Sequence, residues 1–76
     1  MKKFTVKFRG KEYLYNGGNC EEVAQKFANR KVFGNPVIFN LALRTYDADT
    51  RGEKWAVFIA NGDERVEIEA RVEETH

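Results

Sequence analysis

The chain has 76 residues, 13 basic against 12 acidic side chains and a net charge of +1, so no global field draws it onto nucleic acid or an anionic membrane. A domain this size buries only about 60% of its unfolded surface, which leaves little room for an enclosed active site. With 42% hydrophobic residues, ten aromatics (six Phe, three Tyr, one Trp) and a single Pro, it reads as one folded domain over residues 1–76.

Residues 3 to 9 alternate, with Phe4, Val6 and Phe8 to one side and Lys3, Thr5, Lys7 and Arg9 to the other, the period of a half-buried strand. Gly10-Lys11 between Arg9 and Glu12 predicts a two-residue hairpin that pairs Arg9 with Glu12, Phe8 with Tyr13 and Val6 with Tyr15. Asn16-Gly17-Gly18 ends the second strand. Asn19 followed by Glu22 has the spacing of a capping box and predicts a helix over Cys20 to Arg30, apolar along Cys20, Val23, Ala24, Phe27 and Ala28.

Gly34-Asn35-Pro36 precedes a third alternating run, Val37 to Tyr46, predicted to point Val37, Phe39, Leu41 and Leu43 inward and Ile38, Asn40, Ala42, Arg44 and Tyr46 outward. After a polar loop, Asp47 to Glu53, strand four covers Lys54 to Ala60. Asn61-Gly62 predicts a type I′ hairpin into strand five, Arg65 to Glu73, setting Val57 against Val66, Trp55 against Ile68 and Lys54 against Glu69. The elements run ββαβββ, which implies an α+β two-layer sandwich: a five-stranded antiparallel sheet with one helix on one face. Residues 1–11 carry five basic and no acidic groups and residues 62–76 six acids against two Arg. Attraction between the ends supports strand order 2-1-5-4-3, with Lys3, Lys7 and Arg9 beside Glu67, Glu69 and Glu73, while 2-1-3-4-5 is also antiparallel throughout.

The opening hairpin and helix, with Met1-x-x-Phe4 and the Gly10-Lys11 turn, resemble ubiquitin and its β-grasp relatives over residues 1 to 30. Beyond residue 30 the layout departs from that family: Asn61-Gly62 joins strands four and five directly, and the chain closes on Glu73-Glu74-Thr75-His76 without the paired glycines of a conjugated modifier.

The remaining motifs carry little chemistry. Asp47-x-Asp49-x-x-Gly52 matches the first half of a calcium loop, but Arg51 and Phe58 stand where two further ligands belong, so a solvated loop is expected and no metal or other cofactor. Gly17-Gly18 at a helix start suits a phosphate, but Glu21 and Glu22 already complement the dipole, which leaves a strand-to-helix joint. Cys20 sits where a helix dipole lowers a thiol pKa, yet its one possible imidazole partner is the terminal His76, and a packed core-edge side chain is expected. A lone Cys, no Ser and no apolar run longer than Trp55 to Ala60 fit a reducing, cytoplasmic setting with neither secretion nor membrane insertion, and give no nucleophile or acid-base pair for an enzyme.

The outward apolar residues are unexplained by the core. Ile38, Ala42, Tyr46, Ala56 and Phe58 on strands three and four are expected to form an apolar patch rimmed by Arg44, Lys54 and Arg65, suited to a protein partner or to a symmetric homodimer. In size, charge and layout the chain resembles small phage-encoded inhibitors of host defence, anti-CRISPR proteins among them. That resemblance implies stoichiometric inhibition of a nuclease or effector in the host cytoplasm. Ile38, Arg44, Tyr46, Phe58 and Arg65 are the candidate partner-binding residues, since aromatic and Arg side chains dominate interface energetics. The alternative is nucleic-acid binding, with Lys3, Lys7, Arg9, Arg44 and Arg65 on phosphates and Tyr46 and Phe58 stacked on bases. Glu12, Asp63, Glu67, Glu69 and Glu73 on the same face count against it.

Overall fold

The computed structural model of the protein describes residues 1–75, so a pairing of Cys20 with His76 lies outside the described residues. In chain order come β1 (Lys2–Phe8), β2 (Lys11–Gly17), α1 (Cys20–Ala28), a 3₁₀ turn at Lys31–Phe33, β3 (Val37–Asp47), β4 (Gly52–Asn61) and β5 (Glu64–Glu74). The strands form one antiparallel sheet in the order β2-β1-β5-β4-β3, and α1 packs on it as the second layer of an α+β sandwich. Strand five does lie against strand one, and unlike a β-grasp fold it does so antiparallel. Of the expected charge pairs between them, one forms among the described residues: Lys7 Nζ is 3.3 Å from Glu73. Glu67 and Glu69 lie past the end of the β1–β5 ladder and are met instead by Arg44 at 2.8 Å and Lys54 at 3.6 Å.

The helix starts as its capping residues dictate. Asn19 is extended, and its side chain accepts the Glu22 N–H at 2.8 Å. The Glu22 carboxylate reaches back to the Gly18 N–H at 2.7 Å, so the chain's own anion fills the glycine joint. The helix ends at Ala28, two residues short of the predicted Arg30, because the chain tightens there: the Arg30 N–H bonds to the Phe27 carbonyl three residues back. Its expected apolar face, Cys20, Val23, Ala24, Phe27 and Ala28, is fully buried. Phe27 is the hub, with ring centroids 5.1 Å from Phe8, 5.3 Å from Tyr13 and 5.5 Å from Phe33. Its burial is worth about 1.5–3 kcal/mol. Phe4 and Val6 of β1, Val57 and Ile59 of β4, and Ile68, Ala70 and Val72 of β5 complete the core.

Both hairpins turn one residue away from the predicted place. Arg9 and Gly10 occupy the first turn with φ of 49° and 78°, the positive values a type I′ turn requires, so Phe8 pairs with Lys11, Val6 with Tyr13 and Phe4 with Tyr15. The second turn is Gly62-Asp63, in which only Gly62 has positive φ, at 64°, as in a type II′ turn. Asn61 stays in the ladder opposite Glu64. Its amide packs against Gly34, where a Cβ would collide with it. The predicted pairs give way to Val57↔Ile68, Trp55↔Ala70, Lys54↔Arg71 and Phe58↔Glu67. Moving a turn by one residue shifts the register by two, which leaves every side chain of β1, β2, β4 and β5 on its predicted face.

In β3 the faces change. Register shifts between Ile38 and Asn40 and between Leu43 and Thr45 insert extra residues into this edge strand. Ile38 pairs with Ile59 and packs on the core, while Val37 falls opposite Ala60 and Phe39 turns outward. Leu41 and Leu43 keep their inward direction opposite Val57 and Trp55. Past the second bulge Tyr46 pairs with Glu53 and lines a helix-side pocket with Phe4, Asn19 and Cys20. Two candidate residues, Ile38 and Tyr46, therefore lie on the helix side of the sheet and not on the outer face.

Candidate interaction surface on the outer sheet face

With Ile38 and Tyr46 removed, the expected apolar patch does not assemble. Ala56 faces outward yet is buried, hemmed between Ala42 and Glu69 in the ladder. What forms is an aromatic pair with arginines over it. Phe39 and Phe58 lie with ring centroids 6.2 Å apart at 48°. The Arg65 guanidinium carbon stands 5.0 Å from the Phe39 centroid, and that of Arg44 is 5.8 Å from the Phe58 centroid. The Glu67 carboxylate accepts a hydrogen bond from Arg44 at 2.8 Å, which holds that guanidinium in place and raises the guanidinium's pKa.

Arg44, Phe58 and Arg65 are thus brought together as expected, and Phe39 joins them. Sequence alternation misses Phe39 because nothing in a single-strand pattern marks a bulge. Both rings escape the helix, and Phe39 is 49% exposed. Such a cluster offers flat apolar area at low entropic cost, with the Arg65 guanidinium able to lie over a partner's aromatic or pair with its carboxylate while Arg44 is held by Glu67.

The rest of this face is an ion-pair lattice. Glu73 takes Lys7 Nζ at 3.3 Å and Arg71 Nε at 2.6 Å, and Arg71 continues to Asp47 at 3.3 Å and the Thr50 hydroxyl at 2.9 Å. Arg71 and Lys7 hold the Glu73 carboxyl below its ordinary range. The Asp49 N–H and then Arg71 do the same for Asp47. Asp47, a first ligand in the calcium-loop reading, is therefore committed to a cation and a backbone N–H; no three potential metal-binding side chains come together among the described residues. Gly52 makes room for this arrangement, since a Cβ there would stand 2.8 Å from Arg71 Nη2.

Across the sheet, Cys20 is buried with Sγ 3.8 Å from the Val72 carbonyl. Burial, then the adjacent Glu53, pushes its thiol up to about 12, which outweighs the helix dipole and leaves it protonated at neutral pH. No helix among the described residues is long and apolar enough to cross a membrane.

The fold and this surface define a small antiparallel α+β sandwich with an exposed arginine-aromatic cluster on its helix-free face. Comparison with known protein families, with characterised proteins and with solved structures yields no match.

Proposed function

We propose that the protein is a non-enzymatic interaction module that acts by stoichiometric binding of a protein partner through Phe39, Phe58, Arg44 and Arg65. The observation that carries this reading is the Phe39–Phe58 pair, Phe39 exposed and Phe58 half-buried on the face the helix does not cover, flanked by two guanidinium groups. The area this pair leaves open can be buried only against a partner, and aromatic and Arg side chains contribute most at interfaces. The target class to test first is a host defence effector or nuclease, following the resemblance to phage inhibitors.

Nucleic-acid binding through the same rings is disfavoured by the lattice: of its five candidate cations Lys7 and Arg44 already hold carboxylates, which leaves Lys3, Arg9 and Arg65 for phosphates. Few counterions remain to be released by phosphate contacts.

The test compares the chain with Phe58→Glu. In cells carrying an active CRISPR nuclease, the chain should restore phage plating and the variant should not. In vitro, a host protein retained by the chain should be lost with the variant, at one chain per target. Equal retention by both proteins refutes the outer-face reading, and micromolar binding of an oligonucleotide at physiological salt promotes the nucleic-acid alternative in its place. Sedimentation at rising concentration separates a homodimer through this face from a heteromeric partner.

A further inference from the structure

β5 has eleven residues and β1 has seven, and their ladder runs only from Phe4↔Glu74 to Lys7↔Arg71. From Glu64 to Ala70, β5 is paired with β4 on one side and, among the described residues, with no strand on the other. Asn61↔Glu64 closes a two-residue turn, so hydrogen-bonded pairs with β4 fall at the even residues of β5. The backbone N–H and C=O groups of Arg65, Glu67 and Glu69 accordingly point to the open side. A cleft of about 680 Å³ lies beside this edge, floored by Phe8, Phe27, Phe33, Val66 and Ile68. Val66 is 47% exposed although it faces the helix layer, because β1 stops before reaching it.

We propose that the open half of β5 accepts an extended segment of a partner protein by strand addition. The segment carries Lys or Arg at two-residue spacing over Glu67 and Glu69, with an apolar side chain between them entering the cleft. Three observations select this occupant. The free backbone groups match only another extended strand. Next, Glu64 to Ala70 carries three Glu and one Arg, a net of 1 − 3 = −2, and of the four cations that also line the cleft Lys7 and Arg71 are held by Glu73 and Lys54 by Glu69, while Arg9 lies over the Phe8 ring. Glu67 and Glu69 hold their single cations on the side of β3 and β4 and remain 38% and 43% exposed. Finally, β1 shows the same chemistry on the other half of β5, where Lys7 binds Glu73 and Val6 lies in the core. A second copy of the same edge fits less well, because antiparallel pairing about its midpoint keeps one like-charge pair, Glu67 against Glu67, between two Arg65–Glu69 pairs, whereas the proposed segment leaves none. This site does not depend on the Phe39–Phe58 surface and is tested without that surface's partner.

The experiment is amide hydrogen exchange by NMR on the full chain, alone and with a blocked nine-residue peptide of alternating Lys and Val. In the free monomer the amides of Arg65, Glu67 and Glu69 should exchange at least about tenfold faster than those of Val66 and Ile68, and the peptide should slow them selectively. Replacing Glu67 and Glu69 together by Gln should weaken peptide binding about tenfold, the scale of two cross-strand charge pairs. A peptide N-methylated at the residues that pair with β5 should not bind. The proposal is overturned by alternate amides that exchange alike in the free chain, by no binding at millimolar peptide, or by equal binding of the N-methylated peptide. Protection that rises with protein concentration alone overturns it too, because a second copy then holds the edge.

Discussion

Val57→Glu and Phe58→Glu place the same charge one residue apart on β4, on opposite faces of the sheet. Val57 is 1% exposed, opposite Leu41 and Ile68. A carboxylate there has no partner and must be desolvated or protonated, which costs on the order of 4 kcal/mol or more. A 76-residue domain has about 4–11 kcal/mol in total, so this variant should lose a third of its stability or more, a fall in Tm of at least about 15–30 °C. Phe58→Glu forfeits the contact with Phe39, worth about 0.5–1.5 kcal/mol, and the Arg44 contact, worth about 0.5–1 kcal/mol. It also sets two carboxylates opposite each other, since Phe58 pairs with Glu67. Arg44, beside both positions, offsets part of that repulsion. The net loss is about 1–2 kcal/mol, a fall in Tm of about 5–15 °C with the fold retained. Thermal melts followed by circular dichroism, with amide spectra at 25 °C, measure both. The register adds a sharper check: Glu67→Lys should recover about 0.5 kcal/mol in the Phe58→Glu background beyond its effect alone. If Phe58→Glu destabilises the chain as much as Val57→Glu, or shows no coupling to position 67, the assignment of faces and register is wrong.

Gly52→Ala should cost about 0.5–1 kcal/mol, because its Cβ meets Arg71 Nη2 at 2.8 Å and Thr50 Oγ1 at 2.9 Å and displaces the Arg71 head from its partners. The loss should shrink in an Arg71→Ala background, and equal losses in both would show that Arg71 is not the obstacle. Glu73 and Asp47 have carboxyl pKa values lowered by folding, so the unfolded chain binds more protons. Their stabilisation is present above the ordinary carboxylate range near 4 and is lost as pH falls through the lower folded values. Urea midpoints should drop between pH 7 and pH 3, less steeply in Glu73→Gln; a flat profile contradicts the ion-pair lattice. Cys20, with its thiol at about 12, should resist alkylation at pH 8 in the folded protein and react readily in denaturant, whereas fast native labelling would mean an accessible thiolate.

Much of this architecture is written in local pattern. Period-two alternation in β1, β2, β4 and β5 and the 3.6-residue spacing from Cys20 to Ala28 assign the buried faces residue by residue, because each depends only on which side of one element a side chain leaves. Asn19 and Glu22 mark the helix start for the same local reason. Charge asymmetry between the chain ends favours the adopted strand order without excluding 2-1-3-4-5, and of the pairs it rests on Lys7–Glu73 forms.

Turn placement, β3 and the site required the assembled sheet. Neither Arg9 at positive φ nor the retention of Asn61 in the ladder follows from turn preferences, because each turn is selected by the twist of two strands already packed and, for Asn61, by its fit against Gly34. The bulges at residues 39 and 44 reverse Ile38, Phe39 and Tyr46 because an edge strand, paired on one side only, yields locally where the long β4–β5 hairpin does not. That one mechanical fact removes two residues from the expected surface and adds Phe39 to it. The open half of β5 is equally invisible from sequence, since it arises from the difference in length between two strands whose adjacency only the tertiary fold creates.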